Sequence, residues 1–153
     1  MLRMTDRGPQ ITDEIVDQFE RRHGIRLPAA YRDFLLMHNG GRPERDLIAV
    51  PGCKSSPFSR IHFFHGIGGP LGFDCYDLDW NISTCADIYS KGLLPIVSTE
   101  GADMICMALP SGEIVFFDGY ERVPVYPVSP NFAEFIGALY SDELSPHINP
   151  LTD

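Results

Sequence analysis

Residues 24–41 read Gly-Ile-Arg-Leu-Pro-Ala-Ala-Tyr-Arg-Asp-Phe-Leu-Leu-Met-His-Asn-Gly-Gly. Pro28 sits where the first turn of a helix needs no amide donor, and Tyr31, Phe34, Leu35 and His38 follow at spacings of three and four, which puts them on one helical face. Asn39, Gly40 and Gly41 tolerate positive φ and end that helix in a tight turn. Upstream, Thr12 is placed to cap an earlier helix, with Asp13 and Glu14 at the positive end of its dipole. Ile15, Val16 and Phe19 form its apolar stripe, and Arg21, Arg22 and His23 suit its C-terminal end. Gly24 supplies a left-handed stop after which Ile25 folds back onto the stripe.

Beyond the N-G-G turn the composition changes. Leu47 to Val50 and Arg60 to His65 are rich in β-branched and aromatic residues between Pro, Gly and Ser clusters, so both read as strands. Gly66, Gly68, Gly69, Pro70 and Gly72 read as a loop, and Tyr76 to Tyr89 as one short helix with irregular ends. Leu94 to Val97 is a further strand. Met104 to Leu109 and Glu113 to Phe117 form a hairpin closed by Pro110, Ser111 and Gly112. Apolar residues on both faces of that hairpin place it centrally in a covered sheet. A last helix is expected with Ser129 as N-cap, Pro130 as first residue, and Phe132, Phe135, Ile136, Leu139 and Tyr140 on one stripe. The expected fold class is α+β: one domain over residues 12–141, between polar tails at 1–11 and 142–153, with a twisted, mostly antiparallel sheet flanked by two N-terminal helices and one C-terminal helix.

At 153 residues, 44% hydrophobic and 22% charged, the chain is sized and composed to fold alone as one globular unit. No apolar run reaches the roughly 18 to 20 residues of a membrane span, and the opening MLRMTDRGPQ lacks the apolar core of a secretory signal, so a cytoplasmic location is expected. Cys53, Cys75, Cys85 and Cys106 are irregularly spaced with no C-x-x-C pair, which reads as reduced, buried thiols. Twelve basic against twenty-one acidic residues give a formal charge of −9. That charge repels nucleic acid and anionic lipid and favours a basic protein partner, such as a nuclease.

The pattern of Ile15 to Phe19, Gly24-Ile25-Arg26-Leu27-Pro28, Tyr31, Phe34-Leu35 and His38-Asn39-Gly40-Gly41 resembles the opening of the Smi/Knr-type SUKH superfamily. Leu94-Pro95-Ile96, the turn Glu100-Gly101-Ala102-Asp103, Ile105 to Met107, and Gly112 to Phe117 before Asp118 are similar to that family's second half. Ala102 stands where a further Gly is common, and residues 53–59 and 80–90 match only loosely. The resemblance implies a non-catalytic protein-binding module. In bacteria that means an immunity protein neutralising a cognate toxin, often a nuclease or deaminase, by direct binding. The fungal relatives imply the alternative, a regulatory or scaffolding module that binds an endogenous protein or peptide.

Asp74, Asp77 and Asp79, interleaved with Phe73, Tyr76 and Trp80, combine negative charge with aromatic anchors of the kind found in interface hot spots. The competing reading has these carboxylates solvated or capping a helix while the aromatics complete the core. Glu100, Asp103, Asp118 and Glu121 lie at strand ends and turns, where they form an acidic surface if the fold unites them. The expected partner-binding residues are therefore Asp74, Tyr76, Asp77, Asp79, Trp80, Glu100, Asp103, Asp118 and Glu121. His62 and His65 are not read as metal ligands, because residues three apart on a strand point to opposite faces. The glycines after His65 lack phosphate-loop spacing, and Pro70 interrupts any helix start. His38 and Asn39 have no nucleophile motif beside them, so they are read as packing and capping residues. No catalytic residue, cofactor or metal is expected.

Overall fold

The computed structural model describes residues 2–54, 57–119 and 125–142. Thr12 Oγ1 accepts from the Ile15 amide at 3.4 Å and starts α1 (Asp13–His23), which Gly24 ends in the left-handed region at φ 64°. The Ile25 amide bonds back to the Glu20 carbonyl and Ile25 packs on the core, completing the stop foreseen in the sequence. α2 (Ala29–Met37) follows Pro28. Glu20 fixes the angle between the two helices, one carboxylate oxygen accepting from the Leu27 amide at 2.7 Å and the other from Arg32 at 2.8 Å.

The strands are β1 (Met4–Thr5), β2 (Arg42–Pro43), β3 (Leu47–Ala49), β4 (Phe58–Phe64), β5 (Leu93–Thr99), β6 (Met104–Ala108), β7 (Ile114–Phe117) and β8 (Val125–Ser129). The last six form one antiparallel sheet in sequence order, and β1 pairs with β2 in a small separate sheet. The expected hairpin is present as β6 and β7 and lies inside the sheet. Alternation along these strands sends Ile105, Met107, Ile114 and Phe116 into the main core and Cys106 and Val115 into a second, smaller cluster.

On the main face, Val16 and Phe19 of α1, Tyr31, Phe34 and Leu35 of α2, and Phe132 and Phe135 of α5 (Phe132–Ala138) are all buried. A pair of helices stands where one was expected over residues 76–89: α3 (Leu78–Thr84), whose Leu78 and Ile82 join the main core, and α4 (Ala86–Tyr89), whose Ile88 packs on Leu93, Cys106 and Val115 in the smaller cluster. Asp77 starts α3, and the chain changes direction at Cys85, which lies between the two at φ −105° and ψ 41°. β1, β2 and β8 are additions to the elements read from the sequence.

Two further expectations differ in detail. Ser129 is not the cap of the last helix: it ends β8 opposite Ile114, and Asn131 caps α5 by accepting from the Glu134 amide at 2.9 Å. Strand pairing holds Ser129 extended, which pushes the helix start two residues on. Leu139 turns extended, and Tyr140 exchanges backbone bonds with Leu47, covering the β3 edge. At the other end, residues 2–11 lie against the domain, because Leu2 and Ile11 are buried and Met4–Thr5 pair with β2. Residues 143–153 of the expected C-terminal tail lie outside the described residues. Among the described residues no helix is long and apolar enough to cross a membrane.

Candidate functional site

The segment that follows β4 leaves the sheet at Gly66 and is tied back to it at each step. The Gly66 amide donates to Tyr76 O, and the Leu78 amide donates to Gly66 O. A Cβ at Gly66 would collide with the Asn39 carbonyl. Asn39 is buried at φ 49°, and its side-chain amide donates to Pro9 O and Ile67 O while its oxygen accepts from the Ile67 amide. His38 caps α2 and packs on Phe34. The N-G-G signature thus anchors residues 66–68 on the end of α2.

Two tight turns follow, Pro70–Gly72 and Asp74–Tyr76. The Tyr76 ring stacks on buried Phe63 with centroids 4.0 Å apart, and its hydroxyl bonds His62 Nε2 at 2.9 Å. The Arg42 guanidinium lies 5.0 Å from the Phe63 centroid. Burial, with Cys75 nearby, raises the Tyr76 pKa above its ordinary value despite Arg42. Asp77 accepts from the Gly68 amide with one oxygen and from the Trp80 amide with the other, both at 3.0 Å. Asp79 receives Arg22 through two bonds of 3.0 and 2.9 Å and also contacts His23. Burial pushes Asp79 upward, but the bonds from Arg22 and His23 outweigh it and hold the carboxyl below its usual range.

These contacts divide the five nominated residues of this segment. Asp77 is a helix cap and Asp79 an interhelical ion pair, while Tyr76 is half-buried against the sheet. Asp74 and Trp80 face solvent. Leu71 and Phe73 are exposed alongside them. The sequence reading assigns Leu71 no role, and the signal that singles it out is its position between glycines at 69 and 72 that take positive φ.

The second acidic group is only partly assembled. The turn after β5 and the end of β7 meet, since the Asp103 carboxylate accepts from the Gly119 amide at 3.4 Å. Burial raises the Asp103 pKa, and Asp118 adds to it. Asp118 is buried, so it offers no charge at the surface. Glu100 is exposed, 3.9 Å from Arg60, a residue that also binds Asp46 and Asp142 at 2.8 Å each. Glu121 lies outside the described residues. Arg60 and Gly66 are six residues apart along extended chain, roughly 20 Å, so the two acidic groups are separate surfaces.

His65 is fully buried, bonding Pro95 O at 3.0 Å and Ser98 Oγ at 2.6 Å. Burial lowers its pKa to about 4. Among the described residues no group of three His, Cys, Asp or Glu side chains gathers as a metal site. The four cysteines form no disulfide, and Cys53 and Cys106 are buried, but Cys85 is only half-buried at the end of α3 and Cys75 is exposed, because it lies in the Asp74–Tyr76 turn on the solvent side of the loop.

The chain is similar to the SPbeta prophage-derived uncharacterized protein YokK of Bacillus subtilis (strain 168), at 26% identity over 157 residues, covering 90% of this chain and 80% of that protein. The sequence profile described as SMI1 / KNR4 family (SUKH-1) matches residues 10–138, taking in α1, the N-G-G turn, the whole sheet and α5. The chain therefore belongs to the SMI1/KNR4 family (SUKH-1).

Proposed function

We propose that this protein is a non-catalytic immunity protein, working in the cytoplasm, that binds a cognate basic toxin of the nuclease or deaminase class and covers its active site. The observation that carries the reading is the segment 74–80, where outward-facing Asp74 and Trp80 sit on a backbone held by Asp77, Asp79 and Tyr76. A charged group and an aromatic ring presented on a rigid support form the kind of surface that gives a protein interface its specificity and its tightest contacts. Family membership and a prophage-derived relative support the same reading, as does the net charge of −9. A basic enzyme evolved to hold phosphate presents the complementary field.

Co-expression tests it. Each toxin domain encoded beside this gene is induced in a sensitive host with and without the protein, and the complex is isolated by pull-down. Rescue with a nanomolar complex supports immunity. Growth arrest despite the protein, together with recovery of only endogenous cytoplasmic proteins, would shift the reading to a regulatory module. Exposed charge in the interface also makes association slow as salt is raised.

A further inference from the structure

We infer that the tip of the glycine loop, Leu71 and Phe73, is the anchor of the partner interface, inserting into an apolar pocket on a basic protein whose cationic rim meets Asp74. This rests on the protein-binding reading above and deepens it by naming the contact that dominates.

Residues 71–75 are all exposed, and within that run Leu71 and Phe73 are 53% and 56% exposed. Leu71 holds φ 57° and ψ 10°, in the left-handed region that side chains other than those of Gly and Asn rarely occupy. Glycines take positive φ at 68, 69 and 72, so a glycine at 71 would continue the loop without strain. The leucine side chain contributes nothing to the core at this position, and a strained residue kept outside the core points to a role outside the fold.

The loop is also tied down by its own hydrogen bonds. The Gly72 and Phe73 amides close turns onto Gly69 and Pro70, the Tyr76 amide bonds Phe73 O, and the Asn81 side chain holds Cys75 O at 3.0 Å. Gly69 packs so closely under the loop that a Cβ there would lie 2.8 Å from Phe73 O. Such preorganisation lowers the entropy lost on binding. The chemistry of the partner follows from charge. Asp77 and Asp79 are engaged within the fold, while Asp74 has no basic partner among the described residues. An exposed carboxylate beside two apolar side chains, on a chain of net charge −9, selects a basic rim around an apolar pocket and disfavours a second copy of the same chain.

The probes are the toxin domains encoded beside the gene, titrated by calorimetry against wild type, Leu71→Ser, Phe73→Ser and Met37→Ser. Met37 is 54% exposed at the end of α2 and serves as the apolar control outside the loop tip. The inference expects both loop variants to lose at least 100-fold in affinity, with the melting temperature unchanged for Leu71→Ser and slightly lowered for Phe73→Ser, whose ring also meets Tyr76 edge-on at 5.9 Å, and Met37→Ser to bind as wild type does. A bound toxin with loop variants at wild-type affinity overturns the anchor and leaves the immunity reading standing. Failure of wild type to bind any of these domains overturns both. Sedimentation of the free protein is expected to show a monomer, and a dimer abolished by Phe73→Ser would assign the surface to a second copy and overturn the inference.

Discussion

Lowering the pH should cost this fold a defined amount of stability through one residue. His65 is enclosed, with Nδ1 3.0 Å from Pro95 O and Nε2 2.6 Å from Ser98 Oγ. In the neutral ring Nδ1–H donates to the carbonyl while Nε2 accepts from the serine hydroxyl. A second proton would put a charge where burial disfavours it, and the folded-state pKa falls to about 4 from 6.5. Between these values the unfolded chain binds the proton and the folded one does not, so stability is complete above pH 6.5 and is lost as pH falls towards 4. Moving from pH 7 to pH 4.5 across a gap of this size removes about 2 kcal/mol. The assay is urea denaturation at both pH values for wild type and His65→Gln. The glutamine can keep a donor and an acceptor but cannot titrate. The variant should be less stable at pH 7 by about 1 to 3 kcal/mol, through a changed cavity and weaker hydrogen bonds. Its further loss on acidification should be about 2 kcal/mol smaller than that of wild type. His38, also lowered by burial and by Arg7, contributes equally to both proteins and cancels in the comparison. Equal losses in the two proteins would refute the assignment of the acid sensitivity to His65.

Tyr31 is fully enclosed, and its hydroxyl has no hydrogen-bond partner among the described residues. Tyr31→Phe should therefore stabilise the fold by about 1 kcal/mol, measured by chemical denaturation, since no bond is lost and a desolvated hydroxyl is removed. Asp77→Ala removes the acceptor of both the Gly68 and Trp80 amides, and the same assay should report a loss of about 1 to 2 kcal/mol. Leu71→Gly relieves about 1 kcal/mol of left-handed strain against a similar cost in unfolded-chain entropy. Its melting temperature should stay level or rise slightly while its affinity for the toxin falls, a combination that a purely structural leucine would not produce.

The helical half of the fold was legible because each signal was local and cooperative. Thr12, Gly24 and Pro28 act on neighbours within four residues, and the N-G-G turn marks the helix end by residue type alone, although Asn39 goes on to bond Pro9 and Ile67 far along the chain. The reading weakened wherever a partner distant in sequence decided the outcome. Ser129 and Asn131 are equally good caps by residue type, and only the pairing of Ser129 with Ile114 assigns the role to Asn131. β8 carries Pro127 and exposed Val125, a composition that resembles a loop until β7 is set beside it. The split of α3 from α4 rests on the turn at Cys85, where no Pro or Gly marks the break.

The acidic residues show the same limit at the level of function. Asp74, Asp77 and Asp79 are interchangeable in a sequence read for charge. They part company because Arg22, 57 positions away, reaches Asp79, and because Gly68 and Trp80 converge on Asp77. An ion pair or a cap withdraws a carboxylate from the field that a partner meets, so net charge counts residues that no partner can use. Asp118 is withdrawn by burial and Glu100 is shared with Arg60. What remains free in this segment is one carboxylate, Asp74, beside apolar side chains that charge counting ignores. A binding surface built this way derives most of its affinity from desolvating Leu71 and Phe73 and most of its orientation from Asp74. It follows that Asp74→Asn should act chiefly on the association rate and its salt dependence, and the loop apolar variants chiefly on dissociation. Stopped-flow mixing separates the two, and an Asp74→Asn defect confined to dissociation would show that its carboxylate is buried in the complex and belongs to the anchor, not to the rim.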